Sequence, residues 1–218
     1  MKRFAAAVAI VALTTASVAG CAPKPPDFQS ILTTTTSAAV TMTTTTGKPV
    51  PVSQYLESIG VTGQPVAPED LKDLTVSIPT PPGWSRANNP KIAPQTVMLS
   101  KGGNFPTARL VVFRLRGDFD PAQVIKHGND DAQLFENFKQ LNASNADYNG
   151  FPSSMIEFSH DVDSTRQHSW NRIVIPTGSP PDKQRYLVQL TITSLASETV
   201  TYSSDIEAII RGFVVAAK

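Results

Sequence analysis

The feature that most constrains this chain is Cys21, its only cysteine. It ends the sequence Val18-Ala19-Gly20-Cys21, after a short basic start and an uncharged aliphatic run. This arrangement is typical of a secretory signal peptide with small residues at its cleavage site. A cysteine directly after that site predicts a lipobox, whose thiol accepts a diacylglyceryl group; the alternative is a secreted protein with a free thiol. Lipidation leaves no thiol for a disulfide or a zinc cluster, so burial of apolar side chains has to stabilise the exported domain.

The predicted relation to the membrane is anchoring. The apolar run has about 15 residues, whereas a spanning helix needs about 20, and it is removed with the leader, residues 1–20. Because two or three acyl chains bind a bilayer far more firmly than one, Cys21 should hold the protein at the extracytoplasmic face of the cell membrane. Loss of Lys2 and Arg3 with the leader brings the net charge from +1 to −1. That balance gives no electrostatic reason to expect nucleic acid as a partner.

Two regions follow the leader. Residues 21–51 predict a flexible tether, because they are rich in threonine and proline and poor in large apolar side chains. Such stalks are often O-glycosylated, and an unmodified spacer is the equal alternative. Residues 52–218 have the length of a single globular domain.

The hydrophobic patterns predict an α/β fold. A helix is expected from the N-cap Ser53 to the stop at Gly60, a second over 120–138 with Asp120 as N-cap and Pro121 at its first position, and a third over 202–215. Strands are predicted at 75–78, 96–100, 108–116, 139–146, 153–160, 168–175 and 185–194. Since most strands follow one another as hairpins, we expect one central antiparallel sheet of about six or seven strands with helices packed on it, an α/β/α sandwich.

Several short hydrophobic and turn segments are distributed along nearly the whole domain. They are Tyr55-Leu56, Gly60-Val61, Gly63-Gln64-Pro65-Val66, Leu71, Leu74-Thr75-Val76, Pro79-Thr80-Pro81-Pro82-Gly83-Trp84 and Asn149-Gly150-Phe151-Pro152-Ser153. With the lipobox and the threonine-rich tether, these segments resemble the mycobacterial LpqN/LpqT lipoprotein family. The resemblance implies the PsbP/Mog-like fold, an antiparallel sheet between helices. That fold group includes a photosystem II accessory subunit and a small-GTPase-binding protein, both adaptors, and the family supplies no catalytic motif.

Signatures of catalysis are absent from the sequence. It has no Gly-x-Ser-x-Gly elbow, no His-Glu-x-x-His motif and no phosphate-binding glycine loop. Only three histidines are available as general bases, and His127 is expected to face solvent on the helix that begins at Asp120. We therefore expect no catalytic residues and no cofactor.

One cluster has the residue types of a metal site. If the hairpin of 153–160 and 168–175 turns over residues 163–165, His160 lies opposite His168 and Phe158 opposite Trp170. Cross-strand partners have Cβ atoms about 5 Å apart, close enough for two imidazoles and a nearby carboxylate to share zinc or copper. The favoured interpretation is a polar hairpin end above an aromatic pair, with no metal.

The function that remains is binding. Candidate binding residues are Trp84, Phe158, His160, His168 and Trp170, although both tryptophans would fit a structural role in the core. Strand arginines, Arg109, Arg114, Arg116 and Arg172, are expected to be neutralised or solvated. The predicted function is a lipid-anchored binding or interaction module of the cell envelope without catalytic activity, whose partner is an envelope or extracellular protein. The alternative is a carrier of a small apolar or lipid ligand, held in a pocket between helix and sheet.

Overall fold

A central antiparallel sheet organises the protein, as seen in a computed structural model that describes residues 47–218. The predicted signal peptide, Cys21 and most of the predicted tether lie outside the described residues. The strands are β1 (Thr62–Pro65), β2 (Leu74–Ser77), β3 (Ser85–Arg86), β4 (Val97–Ser100), β5 (Thr107–Arg116), β6 (Glu136–Ser144), β7 (Ser153–Val162), β8 (Thr165–Val174), β9 (Tyr186–Leu195) and β10 (Val214–Ala217). The α-helices are α1 (Val52–Ser58), α2 (Pro121–Val124) and α3 (Ser203–Arg211).

Eight strands form the main sheet, in the order β3-β4-β5-β9-β8-β7-β6, and β1 pairs with the end of β5. β2 and β10 form a separate two-stranded ribbon. All pairs are antiparallel, which confirms the predicted α/β architecture, with eight strands in place of six or seven.

The sheet is covered on both faces. On the α3 face, Val188 and Leu190 of β9 pack in one core cluster with Ile206 and Ile209 of α3 and with the β2–β10 ribbon. On the opposite face, called here the α1 face, Leu115, Ile173 and Leu187 pack against residues of α1 and α2. Successive strand side chains point to opposite faces, and in β9 those on the α3 face are buried whereas most of those on the α1 face are half-buried. The expectation of layers on both sides is confirmed.

The helix predicted over 120–138 is largely wrong. Asp120 does cap α2, accepting a hydrogen bond from the Ala122 N–H at 2.9 Å, and Pro121 occupies the first position. The α-helix nevertheless ends after four residues, and 3-10 turns follow at Ile125–His127 and Asp131–Leu134. Gly128 and the polar residues after it are poor helix formers, and the chain from Glu136 onward gains more by pairing as β6 with β7.

The side chain of His127 is also less exposed than expected. Its side chain is only 24 % exposed, its ring stacks on Tyr55 with centroids 4.1 Å apart, and its Nδ1 lies 3.0 Å from Asp130 Oδ2. The short 3-10 turn brings this side chain against α1, which a continuous solvent-facing helix would not do.

Two predicted helix boundaries differ from the observed ones. Ser53 lies inside α1, whose N-cap is Pro51, so no side chain caps that helix. The helix predicted over 202–215 ends at Arg211, and β10 follows it. Gly212 ends the helix, and the β-branched residues Val214 and Val215 then pair with β2.

The β7–β8 hairpin has a different register from the predicted one. Its turn has two residues, Asp163 and Ser164, with φ of +48° and +61°, and Val162 pairs with Thr165. A three-residue turn would pair His160 with His168, whereas here Ser159 pairs with His168 and His160 with Gln167. A one-residue shift moves a side chain to the other face of the sheet, so the two histidines lie on opposite faces. The predicted pairing of His160 with His168 is therefore wrong, and with it goes the geometry that the alternative of a shared metal ion required. For the same reason Phe158 pairs with Ser169, not with Trp170.

Candidate functional site

All five binding candidates from the sequence are buried. The exposed fraction is 6 % for Trp84, 2 % for Trp170 and 3 % for each of Phe158, His160 and His168. None of them is therefore an exposed anchor, and the burial of the two tryptophans agrees with the structural role in the core that the sequence also allowed. Cys21, the predicted lipidation site, lies outside the described residues.

Trp84 connects a loop to α3. Its ring belongs to the core cluster on the α3 face, and its Nε1–H donates to Asp205 Oδ2 at 3.1 Å. Lys101 Nζ donates to the same oxygen at 2.6 Å, and these two hydrogen bonds hold the pKa of Asp205 below its ordinary value. This geometry favours the structural role for Trp84.

His168 lies on the α3 face with a buried carboxylate. Its Nε2 is 3.0 Å from Glu157 Oε1, and the Glu157 side chain is fully enclosed. The pair is part of the core of the α3 face, whereas the His160 side chain points to the other face.

The residues that the structure does bring together lie on the α1 face, beside the sheet edge formed by β6. His160 contacts Phe135 with ring centroids 4.3 Å apart and Phe158 with centroids 5.0 Å apart. Phe138 of β6 reaches Phe158 from the other side at 5.7 Å. The outermost residues are exposed, Leu134 by 54 % and Phe135 by 45 %. We call Leu134 and Phe135, with Phe158 and His160 beneath them, the Phe135 patch.

Short local structure positions this patch. The 3-10 turn Asp131–Leu134 ends where the backbone becomes extended at Phe135, with φ −73° and ψ 149°. Ala132, on the inner side of that turn, is buried with Ile156 and Phe158, so the outer side chains are left in solvent. The chain that enters the domain is attached at the same place, since Val50 N–H donates to Asp130 Oδ2 at 3.1 Å.

The buried floor of the patch is uncharged near neutral pH. Burial lowers the pKa of His160, and the positive charge of Arg166 lowers it further. His160 Nδ1 is buried and has no hydrogen-bond partner among the described residues. Arg166 is held at the adjacent hairpin end by Asp161 at 3.1 Å and by Ser159 Oγ at 2.6 Å. A neutral imidazole between phenyl rings provides a rigid, uncharged base for Phe135.

Sequence reasoning missed Leu134 and Phe135 as surface residues. In a continuous helix over 120–138, Leu134 and Phe135 belong to an apolar stripe with Val124, Ile125 and Phe138, which would face the core. The Gly128-Asn129 pair was the available signal, because a helix interrupted there no longer determines which way the following side chains point.

Within residues 47–218, no helix is long and apolar enough to cross a membrane. The same part of the chain has no group of three His, Cys, Asp or Glu side chains arranged to hold a metal ion.

Comparison with known proteins matches a protein family over nearly the same residues as this domain. The family model described as "Probable lipoprotein LpqN" matches residues 48–216. "Putative lipoprotein LpqT" of Mycobacterium leprae is 66 % identical over 212 residues, which cover 97 % of this chain and 95 % of the relative.

Two solved structures were also matched. LpqN of Mycobacterium tuberculosis has a TM-score of 0.67 at 19 % identity, covering 78 % of this chain and 99 % of that one. Cyanobacterial PsbP from Synechocystis has a TM-score of 0.43 at 15 % identity, covering 67 % and 94 %. The extent of the family match and the 66 % identity show that this chain belongs to the LpqN/LpqT lipoprotein family.

Proposed function

We propose that this lipoprotein is a non-catalytic interaction module, anchored through Cys21 on the extracytoplasmic side of the membrane, that binds a protein of the cell envelope. The observation that carries the proposal is the Phe135 patch. Two adjacent large apolar side chains, Leu134 and Phe135, are about half exposed beside a buried cluster of Ala132, Ile156 and Phe158.

The support beneath Phe135 suits protein recognition. Its ring rests on Phe158 and His160, which are themselves buried, so little side-chain freedom is lost when a partner covers it. Exposed aromatic residues over a rigid base are enriched among interface residues that contribute most to affinity.

The relatives agree with an envelope role. LpqN of Mycobacterium tuberculosis is described as involved in cell envelope biogenesis. At 19 % identity that protein supports the fold, and its role comes to this chain only as part of our proposal.

Site-specific photocrosslinking in the cell tests the partner. A photoreactive phenylalanine analogue is placed at position 135 of the full chain, with a matched variant at position 200, because Val200 is 67 % exposed and is not part of the patch. We expect a discrete protein adduct from position 135 that position 200 does not form. Adducts with lipid alone, or equal adducts from both positions, would contradict a protein partner at this patch.

The affinity of Phe135 variants for the captured protein then tests whether Phe135 contributes to binding. Replacing an interface anchor usually costs about 2 kcal/mol, so Phe135→Ser should weaken binding about 30-fold while Val200→Ser leaves it unchanged. Unchanged binding by a folded Phe135→Ser variant would remove the patch from the interface.

The anchor has its own test. Cys21→Ala should leave the precursor uncleaved, or should release the protein from the membrane fraction, because the thiol that accepts the acyl chains is gone. Detergent-phase partitioning measures the outcome. A correctly processed Cys21→Ala protein that still partitions with the detergent would show that Cys21 is not the anchor.

A further inference from the structure

Two buried hydrogen-bond donors on the α3 face have no acceptor among residues 47–218. They are Trp170 Nε1 and Arg172 Nε, which belong to side chains two positions apart on β8 and therefore on the same face of the sheet. Trp170 is 98 % buried, so water does not reach its indole freely. Buried donors are nearly always satisfied in folded proteins, and two unsatisfied donors in neighbouring side chains call for an acceptor from outside residues 47–218.

The guanidinium of Arg172 is also without a counter-ion in the described part of the chain. Its hydrogen bond goes from Nη1 to the neutral Ser153 Oγ at 2.9 Å, and no carboxylate of residues 47–218 forms an ion pair with it. Burial lowers the pKa of Arg172, and only the Tyr148 hydroxyl opposes that effect. Arg172 is therefore not neutralised by a carboxylate of residues 47–218 and is only partly solvated.

Aromatic rings enclose the guanidinium. Its central carbon lies 4.7 Å from the Tyr148 ring centroid and 5.5 Å from that of Trp170. Tyr148 is held over the sheet by its hydroxyl, which donates to Phe213 O at 2.6 Å, and the neighbouring Asn149 Nδ2 donates to Val215 O at 3.3 Å. Arg172 itself remains partly exposed beneath this turn, so a ligand can reach it from solvent.

We propose that Arg172 and Trp170 form a binding site for a small oxyanion, a carboxylate or a phosphate, on the α3 face of the domain. An oxyanion supplies what the site lacks, a negative charge for the guanidinium and acceptor oxygens for the two free donors. The anion would be either a free ion or the head group of an amphiphile. The site is independent of the Phe135 patch, because it lies on the opposite face of the sheet.

The Trp170 indole N–H is a direct probe of occupancy. The full chain in nonionic detergent micelles is titrated with inorganic phosphate, acetate and hexanoate, and the two indole resonances are followed by NMR. Trp84 is an internal control, because its Nε1–H already donates to Asp205. We expect a saturable shift of the Trp170 resonance with a Kd of about 1 mM or tighter and no matching shift of Trp84. Tighter binding of hexanoate than of acetate would identify an amphiphile head group, and preference for phosphate a free ion or phosphoryl group.

Variants separate binding from structure. Arg172→Gln should weaken binding at least tenfold, Arg172→Lys should weaken it less because the charge is kept, and Ser153→Ala should not weaken it, since it frees Nη1. If Arg172→Gln does not fold, the Arg172→Lys variant and the wild-type titration still test whether the site binds an oxyanion. A Trp170 resonance that does not respond to any of the three anions in the folded wild type, or that responds equally in a folded Arg172→Gln variant, would overturn the site.

Discussion

Some aromatic residues of this protein are buried and others are half exposed, and the sequence alone does not distinguish the two groups. Trp170 lies in the core of the α3 face, whereas Phe135 is half exposed over a buried floor. We expect Trp170→Ala to lower the free energy of unfolding by about 3–5 kcal/mol and Phe135→Ala by less than about 1 kcal/mol. Denaturant unfolding of the two variants measures both values. Similar losses for both would mean that Phe135 is as much a core residue as Trp170.

His160 gives the protein a specific response to acid. Its pKa is lowered in the folded state by burial and by Arg166, so below about pH 6.5 the unfolded chain binds more protons at this residue than the folded protein does. Stability contributed by the neutral ring is therefore complete above about pH 6.5 and is lost as the pH falls below that value.

Replacement of His160 tests this linkage. Between pH 7 and pH 5 the free energy of unfolding should fall less steeply in His160→Gln than in the wild type, as measured by urea unfolding at each pH. Asp161 does not interfere, because its pKa is lowered from an ordinary value near 4 and its effect appears at lower pH. Parallel pH profiles for the two proteins would contradict the lowered pKa.

At the scale of elements, the β7–β8 turn determines which side chains share a face. Ser164 has a φ of +61°, a left-handed conformation that costs a non-glycine residue about 1–2 kcal/mol. Ser164→Gly should therefore stabilise the protein by about 0.5–1 kcal/mol after the entropic cost of glycine, whereas the β-branched Ser164→Val should destabilise it. Thermal unfolding distinguishes the two. Destabilisation by glycine would show that this turn is not left-handed at position 164.

The same turn shows which features of the hairpin a sequence pattern predicts and which it does not. The sequence predicts strands at 153–160 and 168–175, which lie within three residues of the bounds of β7 and β8. It does not determine the length of the turn, since turns of two and of three residues from Asp163 both leave the strands intact. The error of one residue was enough to place His160 opposite the wrong partner.

At the scale of the whole molecule, the domain is expected to be independent of the tether. Among the described residues, the first hydrogen bond from the chain entering the domain is that of Val50 with Asp130, and the family model begins at residue 48. Deleting residues 33–46 should therefore leave the melting temperature unchanged within error, as followed by circular dichroism. A clear drop would place part of that segment against the fold and move the predicted boundary.

The sequence by itself determined the local features of this protein. Asp120 and Pro121 begin a helix because their chemistry matches a helix N-terminus, and Asn149-Gly150 forms a turn because both residues tolerate positive φ. Only the tertiary structure decided where α2 ends, which register β7 and β8 adopt, and that Trp170 and Arg172 are enclosed while Phe135 is not. These outcomes depend on contacts between residues distant in sequence, and the burial such contacts create outweighs the small local preferences that a sequence pattern reports.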